Sequence, residues 1–398
     1  MDSNLKVFLS ELNSELTDGI LPYWMTRMID NENGGFYGQI DGNNQLHPAS
    51  PKGSVLNARI LWTFSAAYNY YHKKEYLEIA TRANSYCINK FINSGNQGVY
   101  WLLDHNGNPL ESKNQIYALS FMIYGLSEYY IAAKNAQSLD YAKILFESIE
   151  RYSFDPDLNG YFEAFDENWI ILEDLRLSEK DANEKKTMNT HLHILEAYTN
   201  LYRIWKNDKL KLQLKNLIEV FIDKIIDPNT MHFQLFFDDD WKPKDKEISF
   251  GHDIEGSWLL QEAAEVLEDE ELINETRQIA LKMVDAVYSN GFDQDGGLYY
   301  ELKTDGTLDS DKHWWPQAEA MVGLVNAYGI SKDFTYLKQA IHTWGFIKET
   351  IIDEKGGEWY FKVDKKGNPY LEEDKAGIWK CPYHNGRACL EILNRLGY

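Results

Sequence analysis

Cysteine is scarce in this chain. Of 398 residues only Cys87, Cys381 and Cys389 carry a thiol. The number is odd and no CxxC pair occurs, so neither a disulfide framework nor a cysteine zinc site is expected. Positive charge is short as well, with 40 Lys and Arg against 62 Asp and Glu, a net charge of -22. That balance excludes the basic footprint with which a nucleic-acid binder displaces counterions, and acts instead as solubility. No apolar run approaches the roughly 18 residues that a membrane helix needs. The opening stretch MDSNLKVFLSELNSEL is amphipathic and interrupted by charges, unlike the basic start and apolar core of a signal peptide. There is no Pro/Ser-rich linker and no step in composition. The expectation is one domain over 1–398 in a soluble monomer of the reducing cytoplasm, without membrane or nucleic-acid partners.

Aromatic residues, by contrast, are abundant: 12 Trp, 26 Tyr and 18 Phe. They exceed what a core requires and suit stacking on flat ligands; the negative charge argues against bases and leaves sugar rings. Six aromatic segments, most of them glycine-led, recur along the chain. NGGFYGQID begins at Asn33, QGVYWLLDHNGNP at Gln97 and NGYFEAFDENW at Asn159. MHFQLFFDDDW follows at Met231, GGLYYELKTDG at Gly296 and GGEWYFKVDKKGNP at Gly356. A spacing of about 60 to 70 residues marks an internal repeat. Each segment reads as an alternating strand running into an Asp/Gly/Asn turn, a small hairpin.

Between the hairpins the hydrophobic period is helical. The pattern predicts twelve helices, over 3–24, 54–72, 74–93, 113–133, 138–153, 187–205, 208–227, 252–268, 269–289, 312–330, 332–351 and 383–396. In the eighth, Leu259, Ala263 and Val266 mark one buried face at i, i+4, i+7. Very short connections such as HKKEY make neighbouring helices antiparallel, and each hairpin follows an odd-numbered helix. Six helical hairpins either stack as an open α-solenoid or close on themselves. Closure hides both ends of the array, and the expected fold is all-α, an (α/α)6 barrel with short β-hairpins at one end.

The unusual polar residues fall in the first turns of even-numbered helices. Arg59 lies near the start of the second, and Asn189 and His193 open the sixth. His252 and Glu255 open the eighth, with Trp258 behind them. Trp314, Trp315 and Glu319 open the tenth, while Trp379, His384, Asn385 and Arg387 surround the start of the twelfth. If the even helices form an inner ring, these groups converge in one aromatic-lined funnel. His252 and Glu255 share a helix face at i, i+3; so do Asn189 and His193, and Trp315 and Glu319, at i, i+4. His191 and His193 point roughly 200° apart, and His193 is the inward one because Asn189 shares its face.

Singly, each residue has a bland reading. Asp253 and Glu255 complement a helix dipole, Arg59 satisfies a buried carboxylate, and the tryptophans are core. Their shared placement on alternate helices favours a functional cluster. A zinc site would suit the histidines, yet no HExxH or closely spaced ligand pair occurs. Glycoside hydrolysis needs two flanking carboxylates, and this cluster is rich in imidazole instead. Ser257, in GSW within a helix, does not look like a nucleophile. Imidazoles with an arginine fit proton abstraction beside a carbonyl. Histidine takes and returns protons near neutral pH, Arg59 stabilises an enediolate, and Glu255 orients His252 and raises its basicity.

Five segments carry a family resemblance: KGSVLNARILWTFSAAY, KTMNTHLHILEAYTNLYR, SFGHDIEGSWLL, WWPQAEAMVG and WKCPYHNGR. Together they resemble the N-acylglucosamine 2-epimerase family along essentially the whole chain, with no departure at the motif positions. The YHNGR ending is similar to the branch acting on disaccharides rather than N-acetylhexosamines. The resemblance implies conversion of the reducing-end glucose of a β-1,4-linked disaccharide to mannose, without cofactor or metal. Cellobiose would give glucosyl-mannose and lactose epilactose. It implies His252 and His384 as the two acid/base residues, His193 as a ring-opening aid and Arg59 as the enediolate stabiliser, with Glu255 supporting His252. Tyr117, Asn189, Trp258, Trp315, Glu319 and Trp379 would shape the sugar subsites. The alternatives are an N-acylhexosamine 2-epimerase, an aldose–ketose isomerase, an (α/α)6 glycoside hydrolase and a non-catalytic sugar-binding barrel.

Overall fold

The computed structural model describes residues 3–398. Twelve helical rods follow one another: α1 (3–27), α2 (Ser54–Tyr71), α3 (74–91), α4 (Ile116–Ala133), α5 (Ala136–Tyr152) and α6 (Met188–Ile204), then α7 (208–225), α8 (Phe250–Leu267), α9 (Glu270–Asn290), α10 (Trp314–Ser331), α11 (334–351) and α12 (Tyr383–Leu396). Four odd-numbered rods contain a π-helical turn: Glu15–Ile20 within α1, Cys87–Phe91 ending α3, Phe221–Ile225 ending α7 and Ile347–Ile351 ending α11.

The even rods touch in cyclic order, α2 to α4, α6, α8, α10 and α12, and α12 packs back on α2. Each odd rod lies outside this ring; α3 covers α2, α5 covers α4, and α1 covers α12. The ring is therefore closed, an (α/α)6 barrel, and the open solenoid is excluded. Burial follows position. In α2 every residue from Ser54 to Ser65 is buried, whereas α3 and α5 bury one stripe and leave the rest in water.

Capping divides the rings further. Four of the outer helices begin with side-chain caps, in which Asn135, Asn207, Asp269 and Asp333 accept from backbone N–H groups of Ser138, Leu210, Leu272 and Thr335. Among the inner helices only α6 has such a cap, from Thr187. Two-residue strands lead instead into five of the inner helices, and each pairs antiparallel with a strand following the next outer helix. Lys52–Gly53 pairs with Leu102–Leu103, Asn114–Gln115 with Ala164–Phe165, and Lys186–Thr187 with Phe236–Phe237. Ile248–Ser249 pairs with Glu301–Leu302, and Lys312–His313 with Lys362–Val363. A single bridge from Ile40 to Ala376 makes the sixth pairing and closes the seam between the two ends of the chain. These strands explain why α4, α6 and α10 start later than the hydrophobic period predicts, at 116, 188 and 314.

The lysines of this register are buried. Lys52 donates to Asp30 at 2.7 Å and Lys186 to Asp155 at 2.8 Å; Lys312 reaches Asp293 at 2.8 Å, and Lys375 pairs with Asp353. Four of the six modules thus clamp a hairpin to the strand before an inner helix. Removing one partner of such a pair typically costs about 3–5 kcal/mol. No helix among the described residues is long and apolar enough to cross a membrane.

Candidate active site

The N-terminal turns of the inner helices and the hairpins above them enclose a cavity of about 490 Å³. Ten of the residues singled out in the sequence line it: Arg59, Tyr117, Asn189, His193, His252, Glu255, Trp314, Trp315, Trp379 and His384. His191 turns away, as its two-residue offset from His193 requires. Its Nε2 accepts from the Tyr161 N–H at 2.9 Å and its Nδ1 meets the Thr187 carbonyl.

Four imidazoles line the cavity, and the three foreseen in the sequence are each held differently at Nδ1. His384 Nδ1 is 2.7 Å from Glu319 Oε1, and His193 Nδ1 is 3.0 Å from Glu196 Oε2. His252 Nδ1 is hydrogen-bonded to Ser249 Oγ at 2.7 Å. Ser249 is the N-cap of α8, yet its hydroxyl does not cap the helix; it holds the histidine. In each ring Nε2 is the remaining nitrogen, the one available to a substrate. Burial pushes all three imidazoles down. His252 falls to about 3, with the nearby His193 adding to burial. His384 lies well below the usual range through burial and the guanidiniums of Arg59 and Arg387, and His193 is lowered by burial. The site therefore presents neutral bases at neutral pH.

Trp315 packs near two of these bases. Its ring centroid is 4.6 Å from that of His252 and 5.6 Å from that of His384. Gly251 makes room for it, since a Cβ there would lie 2.6 Å from the indole edge. Elsewhere in the lining Arg59 Nη2 donates to Tyr117 Oη at 2.8 Å, and its guanidinium lies over Phe121, 4.1 Å from the ring centroid. Trp379 flanks Tyr117 edge-on at 6.0 Å. Four buried polar atoms of lining residues have no protein partner: Asn189 Oδ1, Arg59 Nε, Trp314 Nε1 and Glu255 Oε2. Such atoms cost free energy unless something satisfies them, and a hydroxylated ligand would.

Three expected roles are corrected. Glu255 does not support His252; its Oε1 accepts from Arg387 Nη2 at 2.5 Å, and Ser249 takes the place expected of it. Glu319 is fully buried beneath the cavity and accepts from Trp258 Nε1 at 3.1 Å and Arg387 Nη2 at 2.6 Å as well as meeting His384. Trp258 is no sugar platform either. It is buried under Arg387, 4.8 Å from its guanidinium, and does not reach the cavity.

Sequence reasoning placed Arg387 at the cluster without giving it a role, and it missed Glu196, Tyr383 and Ser249. Arg387 contacts Glu196, Glu255, Glu319 and Tyr383 at once, and Tyr383 donates to Glu196. The signal was present for two of them: Glu196 follows His193 by three residues, and Arg387 follows His384 by three, so each shares its histidine's face. Glu255, Glu319 and His384 bring ligating atoms within 4.8 Å of one another, a spacing a metal would accept. The cation those carboxylates face is the Arg387 guanidinium. Also unforeseen was the segment between α5 and α6. Leu177, Ser178, Lys180 and Asp181 line the cavity, and Leu177, Lys180 and Asp181 together with Tyr300 and His313 are shared with an adjoining space of about 400 Å³. A separate cavity of about 410 Å³ opens among later turns of the inner helices, and it contains none of the histidines.

The N-acylglucosamine 2-epimerase (GlcNAc 2-epimerase) family model matches residues 35–388. The cellobiose 2-epimerase of Bacteroides fragilis is 52% identical over 99% of this chain and 100% of its own. The solved cellobiose 2-epimerase of Bacillus thermoamylovorans B4167 superposes with a TM-score of 0.95 at 40% identity, covering 98% of this chain and 100% of that one. A D-mannose isomerase from Marinomonas mediterranea is more distant, 26% identical over 94% of this chain and 95% of its own. Matched in sequence and in fold over nearly its whole length, the chain belongs to the N-acylglucosamine 2-epimerase family.

Proposed function

We propose that this enzyme is a cellobiose 2-epimerase, inverting C2 of the reducing-end glucose of β-1,4-linked disaccharides. Cellobiose becomes glucosyl-mannose and lactose epilactose; mannobiose is a further candidate. The observation that carries the reading is the pair His252 and His384, on helices α8 and α12, both near Trp315 in one cavity that Arg59 also lines. Its volume lies within the range of small-molecule sites.

The chemistry follows from what each group can do. A closed sugar ring has no acidic proton at C2, so the ring opens first. His193, steadied by Glu196, moves the proton between the anomeric and ring oxygens. In the aldehyde form the adjacent carbonyl acidifies C2–H. One imidazole takes that proton, and the electron pair flows toward the carbonyl oxygen to give an enediolate. Arg59, a buried and permanent cation, stabilises the charge on that oxygen. The other imidazole takes a proton from solvent and returns it to the opposite face, while the first releases its own to solvent, so each turnover exchanges one proton with water and restores the neutral pair. Trp315 and Trp379 offer faces to the sugar rings, Asn189 Oδ1 accepts from a hydroxyl, and Tyr117 holds Arg59. The same reading has the enzyme work as a monomer, without metal or cofactor.

The test is incubation with cellobiose in deuterated water, following the reducing end by NMR. The expected product is a mannose-type residue carrying deuterium at C2. Ketose formation would instead mark an aldose–ketose isomerase and glucose release a hydrolase. No change with cellobiose, lactose or mannobiose overturns the proposal.

A further inference from the structure

Beneath the cavity, carboxylates outnumber cations. Glu196, Glu255 and Glu319 all meet Arg387, and the other guanidinium in the layer is Arg59. With the imidazoles neutral, three ionised carboxylates against two guanidiniums leave one buried negative charge uncompensated. A group in that position takes up a proton rather than remain charged. One proton shared among the three carboxyls makes the layer neutral.

The donors decide where that proton resides. Glu196 accepts from Arg387 and from Tyr383 Oη and meets His193 Nδ1. Glu319 accepts from Arg387 and Trp258 and meets His384 Nδ1. Three partners apiece engage both oxygens of each carboxyl. Glu255 has the Arg387 contact on Oε1, while its Oε2 is buried, unpartnered, and belongs to a residue lining the cavity.

We propose that Glu255 rests as a neutral carboxylic acid and presents Oε2–H as a hydrogen-bond donor to the substrate oxygen on which charge gathers as the enediolate forms. The proposal rests on the 2-epimerase reading for its substrate, not for its protonation state. The groups facing Glu255 are His193 and Glu196 on α6, Glu319 on α10, Tyr383, His384 and Arg387 on α12, Arg59 on α2 and Tyr117 on α4, with His252 on its own helix. Burial first, and then the charge of Glu319, push its carboxyl up to about 8 against the pull of Arg387. A carboxyl raised that far keeps its proton at neutral pH and loses it as pH climbs through that value. The donor is therefore lost on the alkaline side.

The experiment compares E255Q with E255A. Glutamine keeps a neutral donor of the same shape. Its kcat/KM on cellobiose should fall by less than about tenfold and lose the alkaline decline near pH 8, whereas E255A should fall by more than about a hundredfold. Thermal melts of both variants separate a lost fold from a lost donor. Infrared difference spectra of the parent against E255Q should contain the carbonyl stretch of a protonated carboxyl at neutral pH, bleaching as pH is raised past 9. A correctly folded E255Q as inactive as E255A, or a parent without that band, overturns the proposal. If the parent does not epimerise cellobiose at all, the 2-epimerase reading fails while the infrared band still decides the protonation of Glu255.

Discussion

His252 and His384 pack near the same indole, but their surroundings differ in kind. His384 is backed by the buried carboxylate of Glu319, itself fixed by Trp258 and Arg387. His252 is backed by the hydroxyl of Ser249, which has no charge to offer. A carboxylate behind Nδ1 fixes the tautomer and stabilises the imidazolium as it forms, whereas a hydroxyl does only the first. The two bases of one site thus differ in their support, and His252 is also the more exposed of the two. One is suited to holding a proton and the other to passing it on, which is the asymmetry an inversion between two unequal epimers can use.

The comparison is broken most severely by removing either ring. His252→Ala and His384→Ala should each lower the rate of C2 exchange by about 10² to 10⁴-fold, with the melting temperature little changed. Near-parental exchange in either variant would eliminate a two-base mechanism. Next come the supports. Glu319→Gln should cost about a hundredfold in kcat with KM nearly constant, and Ser249→Ala less than about tenfold; equal losses would erase the distinction drawn here. The pH profile sharpens it further. Because both imidazoles are pushed down, His252 to about 3, kcat/KM should stay flat as pH falls from 7 and decline only below about pH 6. An acid limb centred on the ordinary histidine value, near 6.5, would contradict the neutral-base picture. The smallest effect belongs to the shared indole. Trp315→Phe keeps an aromatic face with less area, and KM should rise only about three- to tenfold, with kcat less affected.

Much of this architecture is legible in the sequence because it repeats. Six hairpins at regular spacing and helices alternating between fully buried and one-faced leave few ways to arrange the chain. The two-residue steps that turn His191 away and His193 inward follow from helix geometry alone. The network beneath the site is another matter. Glu255 and His252 do share a helix face, but a face contains several directions, and Arg387 from the far end of the chain competes for the carboxylate with a full charge. Trp258 and Trp315 look equally exposed to a sugar in sequence, yet one lies under the Arg387 guanidinium and the other over the cavity. Such choices are made by contacts between helices more than a hundred residues apart, to which local periodicity is blind. The lining segment 177–181 has no periodicity at all and could be found only from its position.

The seam between Ile40 and Ala376 has a consequence for the order of assembly. As the polypeptide emerges during synthesis, eleven helices are complete before the twelfth arrives with His384 and Arg387. Until then the three inward glutamates lack their guanidinium, and the ring has a gap facing α2. These closing contacts join the most distant parts of the chain, so they carry the largest loop-closure entropy and form late. A nascent chain halted before residue 380 should be helical, expanded and recognisable to chaperones, and catalytic competence should appear in one step with closure of the ring.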